Sequence, residues 1–120
     1  MVRSFHRAVR VEALAEGALI PVVVNGWPVL LARSEGKPYA ALDRCPHAAS
    51  TLSTGRLRRG VVMCPLHGAR FDVSTGRCIG GSYDPLMTFE TRPDDDWIAV
   101  AVPDTPPGFE HLPIGDRTRA

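Results

Sequence analysis

Residues 42–72 read LDRCPHAASTLSTGRLRRGVVMCPLHGARFD, and the rest of the chain is best read outward from this stretch. It contains Cys45-Pro46-His47 and, sixteen residues further on, Cys64-Pro65-Leu66-His67. Each segment offers one thiol and one imidazole within a few residues. Thiolate and imidazole together suit zinc or an iron–sulfur centre, so donor type leaves both open. Spacing separates them. Zinc sites of this composition usually hold their first two ligands about two to four residues apart and their histidines about three to five apart. Here Cys45 and His47 flank a single residue.

On either side of this stretch the chain has the texture of a β fold. Short apolar runs at 18–24, 27–33 and 38–42 are separated by Asn25-Gly26 and by Ser34-Glu35-Gly36-Lys37. Asn-Gly between two such runs marks a hairpin, because both central residues must take positive φ. An antiparallel meander is expected there. From 43 to about 82 the texture changes to Cys, His, Pro and Gly between brief strand-like pieces, as for an inserted, loop-built subdomain. Runs at 86–91 and 97–102 then resume, joined through Pro93-Asp94-Asp95-Asp96 into a second hairpin. Helical period is confined to about one turn near 13–16. Beyond 102, four prolines and no alternation point to a segment lying over the surface or disordered.

Composition narrows the function classes. The 120 residues fit one domain, and 11 glycines with 11 prolines favour turns over helices. Fourteen Lys and Arg against thirteen Asp and Glu leave a net charge of +1, which is no nucleic-acid binder's balance. The longest apolar run, residues 18–24, contains Pro21 and falls far short of the roughly 20 residues of a membrane-spanning helix. Arg3, Arg7 and Arg10 are not followed by a signal-type apolar stretch, so a cytoplasmic protein is expected. Three cysteines cannot all pair, which favours metal binding over a disulfide framework.

At Cys45, His47, Cys64 and His67 the chain resembles the Rieske family, in which two cysteines hold one iron of a [2Fe-2S] cluster and two histidines hold the other. The resemblance extends to 42–47, Leu57, 61–64, Gly68, Arg70-Phe71-Asp72, Thr75-Gly76 and the proline loop near Pro85, and spans residues 5–102. In these features the chain looks like the small Rieske ferredoxins of bacterial aromatic-ring-hydroxylating dioxygenase systems. The resemblance implies an all-β fold, a Rieske-like antiparallel β-sandwich base carrying an inserted cluster-binding subdomain. It implies a Rieske domain over 1–102, the subdomain at about 42–85, and a proline-rich tail at 103–120. It also implies one [2Fe-2S] cluster on Cys45, His47, Cys64 and His67, with the imidazoles at the protein's tip and residues 80–85 as a lid.

The implied function is one-electron transfer by a monomer without catalysis of its own, from a flavin-dependent ferredoxin reductase to a terminal Rieske non-haem iron oxygenase. A small Rieske-fold subunit of a nitrite-reductase-like complex is the alternative. The charges make sense of the ligand set. Two ferric ions, two sulfides and two thiolates sum to zero with neutral imidazoles, so reduction leaves one negative charge, and histidine ligation raises the potential from about −400 mV to a band of about −150 to +300 mV. High-potential respiratory members carry serine and tyrosine hydroxyls at positions matching Ala69 and Phe71, and a disulfide between positions matching Ser50 and Leu66. This chain has neither, so a low-potential carrier is expected.

Simpler roles suit the remaining candidates. Cys78 reads as a small buried hydrophobe, His6 and His111 as surface or capping residues, and Trp27 and Trp97 as core. Residues 42–82 carry a net +4 from six arginines against Asp43 and Asp72, leaving −3 elsewhere. That excess is either a solvated face or a docking patch for an acidic partner.

Overall fold

The computed structural model describes residues 2–46, 49–66 and 68–113. Among them run eleven strands: β1 (Arg3–Arg10), β2 (Leu19–Val24), β3 (Trp27–Ser34), β4 (Lys37–Leu42), β5 (Arg56–Arg58), β6 (Val61–Met63), β7 (Arg70–Asp72), β8 (Cys78–Ile79), β9 (Thr88–Phe89), β10 (Thr91–Asp94) and β11 (Trp97–Pro103). The only helical pieces among these residues are two 3-10 turns, Val11–Ala13 and Phe109–His111. All pairings are antiparallel, in three sheets ordered β1-β11-β10, β2-β3-β4-β9 and β5-β6-β7-β8.

The middle of β3 is apolar without alternation, as expected of a strand buried on both faces. Val29 and Leu31 join Val24, Trp27, Ala40, Leu42 and Phe89 in a core shared with Ile98, Val100 and Val102 of β11. Leu30 and Ala32 point the other way, with Ala41, into a second core containing Cys45, Leu52, Val62, Cys64, Phe71 and Val73. The β2-β3-β4-β9 sheet is therefore the central layer, with the β1-β11-β10 sheet on one face and the small sheet on the other. The expected all-β sandwich base is present.

The hairpins follow from their turn residues. Val24 pairs with Trp27 across Asn25 (φ 48°) and Gly26 (φ 83°), and Ser34 pairs with Lys37 across Glu35 (φ 54°) and Gly36 (φ 78°). Arg59 (φ 51°) and Gly60 (φ 77°) repeat this between β5 and β6. Positive φ at both central residues matches the right-handed strand twist.

Several expectations need correction. The N-terminal arginines lie in a strand, β1, that the sequence reading did not anticipate. It pairs along β11 from Arg3 opposite Pro103 to Arg10 opposite Trp97. Trp97 is half-buried rather than core, with the guanidinium carbons of Arg7 and Arg10 at 5.8 and 5.3 Å from its ring. The 86–91 run divides between two sheets, because β9 pairs with β4 while β10 pairs with β11. The single turn falls at Val11–Ala13 and is 3-10 rather than α. Of the two expectations for the tail, residues 103–113 meet the first and lie over the surface, tied down there: Trp27 Nε1 donates to the Thr105 carbonyl at 3.0 Å, and the His111 ring lies 4.8 Å from the Trp27 ring, while 114–120 lie outside the described residues. His111 Nδ1 accepts from the Gly108 amide at 3.0 Å, a capping role.

Beyond β4, Asp43 turns the chain toward the cysteine loops. It is 3% exposed and the only buried charged side chain among the described residues. Its amide donates to the Pro28 carbonyl at 2.9 Å, and its carboxyl accepts from the Leu52 amide (2.7 Å), the Ser53 amide (2.8 Å) and the Ser53 hydroxyl (2.6 Å). One side chain thus clamps both ends of the first cysteine loop. Asp43→Ala leaves the buried Leu52 amide unsatisfied and is expected to cost about 3 kcal/mol of stability and to lower bound iron per chain. Asp43→Asn, which keeps an acceptor oxygen, is expected to lose less. Chemical denaturation with iron analysis checks the order.

Candidate metal centre

The two cysteine loops are closed by the same pair of hydrogen bonds. In the first, the Cys45 amide donates to the Ser50 carbonyl (2.8 Å) and the Ala49 amide donates to the Cys45 carbonyl (2.7 Å). In the second, the Cys64 amide donates to the Ala69 carbonyl (2.8 Å) and the Gly68 amide donates to the Cys64 carbonyl (3.1 Å). Each cysteine is thus tied to the fourth and fifth residues after it. The fourth takes positive φ in both loops, 57° at Ala49 and 73° at Gly68. Glycine bears that conformation freely, whereas alanine does so at a cost of about 1–2 kcal/mol.

Strand pairing fixes the second loop in space. Met63 pairs with Arg70, so Cys64 leaves β6 and Ala69 enters β7 at the same end of the β6–β7 hairpin. A Cβ added to Gly55 would fall on the Met63 carbonyl oxygen, so only glycine allows the end of the first loop to pass this close to β6. The loops also touch directly, with Ser50 Oγ 3.6 Å from Cys64 Sγ.

Cys45 is 0% and Cys64 1% exposed, and both belong to the core formed with Leu52, Val62, Ala69 and Phe71. Pro46 and Pro65, directly after the cysteines, bring no N–H to either loop. The neighbouring β7–β8 turn is set by Asp72, whose Oδ1 accepts from the Ser74 hydroxyl (2.6 Å) and amide (2.9 Å). The Ser74 hydroxyl holds the Asp72 carboxyl below its usual range, against the opposing effect of partial desolvation. That contribution to the turn is full at neutral pH and fades as pH falls through the lowered value.

Of the four expected ligands, Cys45 and Cys64 come together in one apolar core, while His47 and His67 lie outside the described residues. Two thiols shielded from water on matching loops, each loop carrying a histidine two or three residues on, form a donor set suited to a mixed thiolate–imidazole iron–sulfur cluster. Cys78 stands apart, partly buried on β8 against the same core. The sequence reading missed the roles of Ala49, Asp43 and the Ser50 side chain. For Ala49 the sequence offered only the small residues 48–50 directly after Cys45-Pro46-His47, and for Asp43 and the Ser50 contact it offered no signal.

Arg56, Arg58, Arg59, Arg70 and Arg77 are exposed on or beside the small sheet, and Arg44 is half-buried. Among the described residues the ion pairs involve Arg7, Arg10 and His111, and none of these six. Leu66, in the second loop, is 59% exposed.

Comparison with known proteins agrees with this architecture. The Rieske [2Fe-2S] domain model matches residues 4–90. The chain is 37% identical over 79 residues to the ferredoxin component of the naphthalene 1,2-dioxygenase/salicylate 5-hydroxylase systems of Ralstonia sp., covering 66% of this chain and 76% of that protein. It is 34% identical over 93 residues to the ferredoxin component of biphenyl 2,3-dioxygenase from Rhodococcus jostii, covering 72% and 82%. Among solved structures, a chain in the complex of reduced oxygenase and oxidized ferredoxin of carbazole 1,9a-dioxygenase superposes with a TM-score of 0.74 at 29% identity, covering 81% of this chain and 92% of that one. With the family model matching residues 4–90, most of its length, this chain belongs to the Rieske [2Fe-2S] domain family.

Proposed function

We propose that this protein is the ferredoxin of an aromatic-ring-hydroxylating oxygenase system, carrying one electron at a time on a single [2Fe-2S] cluster held by Cys45, His47, Cys64 and His67. The observation that carries the reading is the pair of identically closed loops, which bury one cysteine each in a common apolar core. When bound, such a cluster takes up and gives back one electron at a potential raised by its imidazole ligands. The chain's own part is to hold it: Leu52, Val62 and Phe71 keep water from the sulfurs, and the loop closures fix their positions. The relatives are named as ferredoxin components, which supports a carrier that leaves oxygenation to another protein.

In this reading the donor is a flavin-dependent ferredoxin reductase and the acceptor a terminal Rieske non-haem iron oxygenase. The solved complex of an oxygenase with its ferredoxin supports the second. The protein works as a cytoplasmic monomer, and no helix among the described residues is long and apolar enough to cross a membrane. Residues 1–102 form the working domain, 42–85 its cluster-binding part and 103–120 a tail. The unpaired arginines of the small sheet are the docking patch for acidic partner surfaces.

Protein purified without oxygen is expected to hold two irons and two acid-labile sulfides per chain, and Cys45→Ser or Cys64→Ser to hold neither. One zinc and no sulfide overturns the reading. A redox titration followed by electron paramagnetic resonance is expected to give a midpoint around −150 mV, because positions 69 and 71 offer no hydroxyl. Ala69→Ser and Phe71→Tyr are each expected to raise it by tens of millivolts, a shift of the order that one hydrogen bond produces. A wild-type midpoint above zero defeats the low-potential assignment. Electron transfer to the oxygenase is expected to slow as salt rises, since exposed charges are screened over about 8 Å at physiological ionic strength. A salt-independent second-order rate in stopped flow returns the arginines to a solvated face.

A further inference from the structure

Ser50 is bonded to both cysteines. Its carbonyl accepts from the Cys45 amide at 2.8 Å, and its hydroxyl oxygen lies 3.6 Å from Cys64 Sγ in the opposite loop. Sulfur's large radius sets such contacts beyond those between two oxygens. Between a thiol and a hydroxyl either group could donate, but a cysteine ligating iron is a thiolate and has no proton to give. With the metal bound, the bond can run only from Ser50 to Cys64.

The other hydroxyls of this loop are engaged elsewhere. Thr51 and Thr54 lie 3.1 Å apart, and Ser53 donates to Asp43 at 2.6 Å. Ser50 is carried to the sulfur by the positive φ of Ala49 and by its own backbone bond to Cys45. Cys64 is 1% exposed among Leu52, Val62 and Phe71, so a dipole aimed at its sulfur is poorly screened.

We propose that the Ser50 hydroxyl donates to the Cys64 thiolate and raises the reduction potential of the centre. One electron enters the cluster on reduction and no bond is made or broken, but the ligand sulfurs gain negative charge. A hydrogen bond strengthens as its acceptor becomes more negative, so this one stabilises the reduced state more than the oxidised. Ser50 acts through Cys64, as a positioning residue that tunes the cluster and makes up part of what Ala69 and Phe71 lack. The proposal rests on Cys64 being a ligand.

The test is the midpoint of the cluster-loaded protein at one pH and salt concentration. Ser50→Ala is expected to favour the oxidised form about tenfold, a fall of about 59 mV for one electron. Ser50→Thr, which keeps the hydroxyl, is expected to stay near wild type. Ser50→Val, which has the shape of Thr without the hydroxyl, is expected to fall with Ala. Loaded Ala and Val variants whose midpoints match wild type overturn the proposal. Loss of loading in both, with Thr loaded, overturns it in favour of a purely structural role. A wild-type protein lacking iron and sulfide fails the ligand assignment itself, whereas a loaded wild type with unmoved variants fails the Ser50 proposal alone.

Discussion

Burial of β3 on both faces is the constraint on which the rest of the structure depends. Val29 and Leu31 supply one core, Leu30 and Ala32 the other, and a slip of one residue would exchange the two sets. Each fully buried Leu or Val is worth about 1.5–3 kcal/mol, so register is strongly held. β4 hydrogen-bonds to β3 from Val29 opposite Leu42 to Ser34 opposite Lys37, which fixes where Leu42 ends and where Asp43 begins the first cysteine loop. The second core, against which the small sheet packs, then determines how deeply Cys45 and Cys64 lie.

That core sets the electrostatics as well as the packing. Apolar walls disfavour charge, and a cluster with neutral imidazoles has none in its oxidised state and one negative charge when reduced. A four-thiolate set would bring two more negative units into the same space. Between two such closely spaced charge states, a single dipole aimed at a buried sulfur has leverage that it would lack at a wet surface. The basic excess lies outside this shell, on exposed arginines, where salt moderates it.

Much of this was legible in the residues. Asn25-Gly26 marked the first hairpin because positive φ at two successive residues is a demand few pairs meet, and the Cys-x-His and Cys-x-x-His spacings marked the family. β1 was not legible. Its arginines interrupt any apolar alternation, and their guanidinium groups, over Trp97 for Arg7 and Arg10 and over Phe89 for Arg3, stand where apolar contacts would have signalled a strand. Nor was the change of sheet at Glu90, where the pattern runs on unbroken while the pairing passes from β4 to β11. Ser50 could not be found from sequence, because its bond to Cys64 exists only once two separate loops have folded against each other.

The two loops also show what their differing motifs mean. Both close with hydrogen bonds at the fourth and fifth residues after the cysteine, although the histidine stands second in one and third in the other. Loop length is therefore set by backbone closure and not by the spacing of cysteine and histidine. The cysteines occupy equivalent stations, and the one-residue difference falls entirely on the sequence positions of the imidazoles. Gly68 meets the positive-φ requirement of the second loop without strain, while Ala49 meets it in the first at some cost. The first loop is also the one clamped by Asp43 and joined through Ser50 to the other, so these contacts gather where the backbone is least at ease.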